Sequence, residues 1–421
     1  MTAKTSRWSR LDNAAKIFPS STSRRDSKVF RFYCQLDRPV EPEHLTLAVE
    51  QVLAHFPFYR CTMRKGMFWY FLEEIRKFPR VAQESEPPCA QKAHPDRHDL
   101  LLSVSYYRCR INVEMYHALA DGTGALDFLK ALVCRYLVLC HPQLAGEEPQ
   151  FDGSLQERMA DSFRQHYRGE KMARRGFHLQ PAAYHLSGRK LPEDRLQLVE
   201  GVASASQVAA AAKARGATVG MYLCAVFQQA IYRQMPASQT KRPVVVSMPI
   251  NLRNFFDSRT ARNFFSVMPL SRNFSQQSGE LEDILEQVKE DFRRELEPQR
   301  VAQRVEELCR LEYNLFTRMV PLVLKDVVMM YGNKLFNRSV TGAISNLGRV
   351  SFPAAFQPYI QRMGAFNSTS RIHLCLCSCG DAMTFGFATP FSGSGVEVAR
   401  HFFRILREEG VEITVAANRL E

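Results

Sequence analysis

His117 closes a run of alternating apolar residues, DLLLSVSYYRCRINVEMY (99–116), and stands four residues ahead of Asp121 and five ahead of Gly122. A histidine at the end of a strand projects into whatever cleft the strand borders. Its neutral ring takes a proton near neutral pH, which few unperturbed side chains can do. Asp121, in the turn that follows, is better placed to brace the loop than to react. Gly122 and Gly124 allow backbone geometry that other residues resist. The spacing alone also fits a bland reading, since a lone His-x-x-x-Asp-Gly arises by chance and buried histidines are commonly hydrogen-bonded core residues.

Around this segment the chain reads as alternating strands and helices. KVFRFYCQLDR (28–38) is strand-like, and EHLTLAVEQVLAHF (43–56) carries apolar residues at helical spacing. FYRCTMRKGMFWYFLEE (58–74) reads as a hairpin turning at Lys65-Gly66, and GALDFLKALVCRYLVLC (124–140) as a helix directly after the motif. Strand and helix signals return at 195–235, where Ser204 suits a helix start and Gly216 a helix end. VVVSMPINLR (244–253) and NFFSVMPLS (263–271) are β-rich, with Pro269 marking an edge or bulge. Residues 279–331 read as charged helix, 341–391 as short strands, and 395–410 as a closing helix. Strand–helix units mixed with hairpins predict an α/β or α+β protein with mixed sheets. The expected organisation is a first lobe over 1–150, a crossover linker over 151–193 and a second lobe over 194–421.

Composition narrows the function classes. The 421 residues are 45% hydrophobic and 24% charged, a globular balance. No apolar stretch is long enough to span a bilayer, and the first residues lack the apolar segment of a secretory signal, so the expected location is cytoplasmic. The formal net charge of +13 favours acidic partners: nucleic acid, anionic lipid, a phosphorylated cofactor or an acidic carrier protein. The basic residues are spread out and form no nucleic-acid motif. Eleven cysteines without zinc-type pairing read as free thiols. Cys375, Cys377 and Cys379 alternate with His373 in phase, placing all four on one strand face. Such a row cannot easily wrap a tetrahedral ion, so a buried strand is the reading preferred to a metal or redox cluster. Lys213, Arg215, Arg293, Arg294, Arg300 and Arg304 suit coenzyme A phosphates but equally a solvated helix face. Met329-Met330 suits an acyl pocket or, more commonly, core packing.

The strand, His-x-x-x-Asp-Gly and helix, near one third of the chain, resemble the superfamily of chloramphenicol acetyltransferases, peptide-synthetase condensation domains, plant-type acyl-CoA transferases and bacterial alcohol acetyltransferases. SMPINLRNFFDSRTARNFFSVMPLS (247–271) is similar to a condensation-type stretch in which an arginine, here Arg253, pairs with the motif aspartate, here Asp121. A buried carboxylate at a turn needs such a partner in any case. Ser345-Asn346-Leu347-Gly348 and the opening RLDNAAKIFPSS resemble segments of alcohol acetyltransferases and, for the first, of mycobacterial polyketide-associated acyltransferases. Two departures stand out. Tyr116 occupies the place where many relatives have a first histidine, and the plant-type Asp-Phe-Gly-Trp-Gly motif is absent.

The resemblance implies two similar lobes with a cleft between them and no permanently bound cofactor or metal. Acyl-CoA, or an acyl carrier protein, would bring a thioester. His117 would remove the proton from an alcohol or amine acceptor as it attacks. Asp121, Gly122 and Arg253 are structural in this reading, while Ser345, Asn346 and Tyr116 are candidates for oxyanion stabilisation or for the tunnel. Three rival expectations remain: a carrier-dependent amide-forming enzyme, an inactive binding protein of the same fold, and, on charge alone, a nucleic-acid binder.

Overall fold

VFRFYCQL, Val29–Leu36, is apolar on both faces, which suits the interior of a sheet rather than its edge. In the computed structural model, which describes residues 8–94, 98–150, 153–169 and 180–419, it lies in a five-stranded sheet. The order across that sheet is Ile360–Asn367, Val29–Leu36, Arg110–Tyr116, Leu102–Tyr107 and Ala82–Gln83. A second sheet has seven strands, in the order Phe265–Arg272, Val244–Asn251, Gly342–Val350, Ile372–Cys379, Ala382–Thr389, Gln197–Ser204 and Ile413–Ala417. Trp8–Arg10, Tyr70–Glu74 and Cys61–Lys65 make a small third sheet. Most pairs are antiparallel, but Gly342–Val350 runs parallel to both its neighbours, so the sheets are mixed.

Helices Pro42–His55 and Gly122–Cys140 cover the first sheet. Val219–Gln234, Leu281–Glu295 and Ser394–Glu408 belong to the second. The local signals act as expected. Ser204 Oγ accepts the amide of Gln207 and starts the helix Ala205–Ala214, and Gly216 follows it with φ +58°. Ser394–Glu408 turns Val398, Phe402, Phe403 and Leu406 inward, where Phe402 packs edge-on against Phe385 and Phe387. Burying each such ring contributes about 1.5–3 kcal/mol. The stretch read as continuous charged helix is interrupted near Pro298, Asn314 and Pro321 into Leu281–Glu295, Pro298–Tyr313, Leu315–Met319 and Leu322–Arg338.

Chain order and sheet order part company at one strand. Ile360–Asn367, inside the range read as the second lobe, pairs antiparallel with Val29–Leu36 and completes the first sheet, with Phe32 opposite Ala365. The same strand leans on the second sheet: a side chain at Gly386 would meet the carbonyl of Ala365 at 2.0 Å. One apolar core therefore runs from Val29, Phe30 and Met115 across to Cys375, Cys377, Cys379 and Ala388. Within the expected linker, Leu155–Met159 and Ser162–His166 are short helices, and Phe163 packs with Leu252 and Phe264. Tyr184 and Leu186 join the second core. Residues 170–179 of that linker lie outside the described residues.

Candidate active site

The strand Arg110–Tyr116 ends one residue before His117, whose amide donates to the Lys28 carbonyl at 2.8 Å. That bond keeps the histidine at the rim of the first sheet. The chain then turns, and Asp121 caps the helix Gly122–Cys140: its Oδ1 accepts the amides of Thr123 and Gly124, both at 3.1 Å. Oδ2 accepts the Phe264 amide at 2.8 Å. Arg253 adds a fork, Nη1 to Oδ2 at 2.8 Å and Nη2 to Oδ1 at 3.3 Å. The same guanidinium donates to the carbonyls of Thr260 and Arg262. Asp121 is only 4% exposed, yet both oxygens are satisfied by neighbours other than His117. It ties the motif turn to the segment 251–264. Gly124 is needed there, since a Cβ would come within 2.0 Å of the Ala261 carbonyl. At Gly122 a Cβ would press on Leu347 at 3.0 Å, which marks how closely the strand Gly342–Val350 passes the motif.

The His117 ring is held between aromatics. Phe18 stacks on it at 4.4 Å, Phe30 meets it edge-on at 5.2 Å, and Phe265 lies tilted at 5.4 Å. Nδ1 lies 3.1 Å from Asn263 Oδ1. Asn263 is 1% exposed, and its amide Nδ2 and backbone N–H both donate to Asp12 Oδ2, at 3.2 and 3.3 Å. Asp12 in turn accepts the Ala15 amide at 2.8 Å. A carboxylate can only accept, so it fixes which end of the Asn263 amide faces the histidine. The amide oxygen then requires a proton on Nδ1, and the basic lone pair is left on Nε2. Burial pushes the His117 pKa below the ordinary histidine value, against the opposing pull of its own backbone carbonyl, the Asp121 charge and Asn263. Burial thus favours the neutral ring. Burial also pushes the Asp12 carboxyl up to about 6, with Arg262 at 3.8 Å limiting the rise.

Asp12, Phe18 and Asn263 carried no assigned role in the sequence, although each lies in a segment that resembles the family. A partnership across 251 residues leaves no local pattern, so no periodicity could have singled them out.

Along Gly342–Val350, side chains alternate between faces. Ile344 enters the second core, which leaves Ser345 and Leu347 on the face toward the motif. Ser345 Oγ lies 2.9 Å from His373 Nε2. His373 is buried, and desolvation lowers its pKa to about 4, with the neighbouring His117 adding to the shift. Asn346 is placed otherwise: it is exposed, and its Oδ1 accepts the Gly348 amide at 2.9 Å, capping the bulge where Gly348 has φ +70°. Tyr116 is fully buried, its hydroxyl 2.9 Å from Thr22 Oγ1, which donates to the Phe18 carbonyl. Through Thr22 it is tied to the short helix that carries Phe18. His117, Asp121, Gly122 and Arg253 thus meet at the motif turn, Ser345 bonds His373, Asn346 caps the bulge and Tyr116 bonds Thr22.

The remaining candidates sort by their partners. Arg294, Arg300 and Arg304 all converge on Glu295, and Arg215 pairs with Glu282 and Glu409. Lys213 and Arg293 line a basic cleft of about 630 Å³ with Lys289 and Thr218. Cys375, Cys377 and Cys379 are buried in the core, and burial raises all three thiols. They are packing residues, as the strand reading proposed. All eleven cysteines are free. The core-packing reading of Met330 fails, because that side chain is half exposed.

No protein-family model matches the chain, and no curated protein matches it in sequence. Solved structures do match along nearly the whole length. Polyketide synthase associated protein 5 from Mycobacterium tuberculosis superposes with a TM-score of 0.61 at 12% identity, covering 94% of this chain and 96% of that one. F. graminearum TRI101, complexed with coenzyme A and T-2 mycotoxin, gives 0.64 at 10% identity over 94% and 97%. The first condensation domain of the calcium-dependent antibiotic synthetase, in complex with a substrate analogue, gives 0.63 at 15% identity over 96% of each chain.

Proposed function

Because this chain has the two-lobed fold of the chloramphenicol-acetyltransferase-like and condensation-domain superfamily, we propose that it is an acyltransferase moving an acyl group from a thioester to a hydroxyl acceptor, with His117 as general base. The observation that carries the reading is the hydrogen-bond chain from Asp12 through Asn263 to His117 Nδ1. It holds one tautomer of a neutral imidazole, the form a general base needs. Acyl-CoA is the donor we favour, in keeping with the coenzyme A-bound neighbour and the net charge of +13.

In this mechanism Nε2 takes the acceptor's hydroxyl proton as the oxygen attacks the thioester carbonyl. The tetrahedral oxyanion collapses, the C–S bond breaks, and the imidazolium returns the proton to the leaving thiolate. A positioned base of this kind contributes about 10²–10⁴-fold. Ser345 is the proposed oxyanion donor: a neutral His373 with its proton on Nε2 would leave the Ser345 hydroxyl free to donate to the oxyanion. Asp121, Gly122 and Arg253 fix the turn. The first and second lobes, 1–150 and 194–421, would supply the two walls, with Ile360–Asn367 exchanged between them. The free thiols favour a cytoplasmic location.

The test is release of free thiol from a panel of acyl-CoAs over pooled alcohols and amines, with wild type and His117→Ala. Acceptor-dependent release by wild type alone supports the proposal. Equal activity of both proteins removes His117 from the mechanism. Silence of both, followed by activity with a carrier-bound thioester, would favour the condensation-type reading; silence with either donor would favour a binding protein.

A further inference from the structure

The helix Leu322–Arg338 is built inside out. Its polar residues near the start face the protein: Lys325 Nζ donates to the carbonyls of Phe68 and Arg318 and sits 3.5 Å above the Trp69 ring. Asp326 accepts the hydroxyls of Ser20 and Tyr70, at 3.1 and 2.9 Å. The apolar residues face outward. Val328 is 70% exposed, Val323 62%, Tyr331 59% and Phe336 51%. Leu324, Val328, Tyr331 and Leu335 follow the i, i+4, i+7, i+11 spacing of a single stripe. At the start of the helix the hairpin tip continues the surface: the Leu322 amide donates to the Met67 carbonyl, and Met67 is 76% exposed. A soluble protein does not leave such a contiguous apolar patch open without a use for it.

We propose that this helix and the Met67–Phe68 tip seat the protein on an anionic lipid surface. Charge selects the occupant. Asp326 is the only acid in the helix and is held by Ser20, Tyr70 and, at 4.0 Å, Lys65, whereas Lys334 and Arg338 are exposed beside the apolar stripe. Apolar side chains flanked by exposed cations are the pattern of an interfacial helix lying in the headgroup region. A second copy fits poorly, since a two-fold contact would bring this cationic patch onto itself in a protein already carrying +13. The inner side of the helix packs on Ile17–Ser21, whose Phe18 stacks on His117. The seated face is thus one short helix away from the proposed base. Binding to lipid does not require catalysis, but delivery of an acyl chain or apolar acceptor from the surface to His117 rests on the acyltransferase reading.

The test is co-sedimentation of the full chain with vesicles of phosphatidylcholine alone and of phosphatidylcholine mixed with phosphatidylglycerol. Wild type should bind the mixed vesicles about tenfold more tightly than the neutral ones. The double variant Val328→Asp, Phe336→Asp should lose binding to both, and Lys334→Glu, Arg338→Glu should lose only the preference for the anionic lipid. Thermal melts and thiol release from a short, soluble acyl-CoA should be unchanged in both variants, which separates failure of docking from failure of the catalytic reading. The proposal is overturned if wild type stays in the supernatant or binds both vesicles equally. It is also overturned if sedimentation velocity shows a concentration-dependent dimer that the apolar variant abolishes while no vesicle binding occurs.

Discussion

Two regions flank His117, and each contains a buried aspartate near an arginine, but the two carboxylates are held differently. On the turn side, Asp121 has a two-pronged Arg253 contact and three backbone amides. On the N-terminal side, Asp12 has the Ala15 and Asn263 amides, the Asn263 side chain, and Arg262 only at 3.8 Å. The first is a clamp that joins the motif turn to a segment from the second half of the chain. The second is a weakly compensated charge, pushed up to about 6 by burial, that orients the imidazole through one intermediary. A buried carboxylate needs hydrogen-bonded partners, and whether it braces or tunes depends on how completely they offset its desolvation.

Five changes test that contrast. The largest effect should come from His117→Ala, which should lower kcat by about 10²–10⁴ with an unchanged melt, read by thiol release. In wild type the acid limb of kcat/KM should fall below the ordinary histidine value of 6.5, because burial lowers the His117 pKa. Next, Arg253→Ala strands the Asp121 charge and should cost about 3–5 kcal/mol of stability in urea unfolding. A clamp that loses much less than this is not a clamp. Asn263→Ala should leave the fold intact and reduce kcat by about 10²-fold with little change in KM, as expected when a base loses its orientation. A proportional rise in KM instead would mean Asn263 binds substrate.

The smallest effects concern pH. The folded pKa of Asp12 is raised from 3.8 to about 6, so its contribution to stability is full below 3.8 and is lost as pH rises through 6. That of His373 is depressed from 6.5 to about 4, so its contribution is full above 6.5 and is lost as pH falls through 4. Each amounts to about 3 kcal/mol at most, and the signs oppose over the same window. Relative to wild type, Asp12→Asn should steepen the acid loss of stability between pH 6 and 4. His373→Asn should flatten or reverse it. Parallel pH–stability curves for the three proteins would show that neither group is held as described.

Much of this protein was legible in its sequence. The strand that ends at His117, the helix after Asp121 and the β-rich runs at 244–253 and 263–271 follow from local periodicity, because burial of one face imposes it residue by residue. The nearness of Arg253 and Asp121 was expected from a resemblance between segments and from the need of a buried carboxylate for a cation. Other features depended on partners far along the chain. Ile360–Asn367 reads as a strand, but nothing local says that its hydrogen bonds go to Val29–Leu36, since backbone pairing groups are the same in every strand. Asn263 and Asp12 meet His117 only because two distant segments converge on it. Residues 279–331 read as charged helix, with core packing preferred only at Met329-Met330, and only the folded arrangement shows that Lys325 and Asp326 found partners inside while the apolar stripe of Leu322–Arg338 did not. Sequence alone therefore determined the elements and the histidine at the end of its strand; tertiary structure decided which sheet received each strand, what orients that histidine and which apolar face stays open, because those depend on contacts that local patterning does not encode.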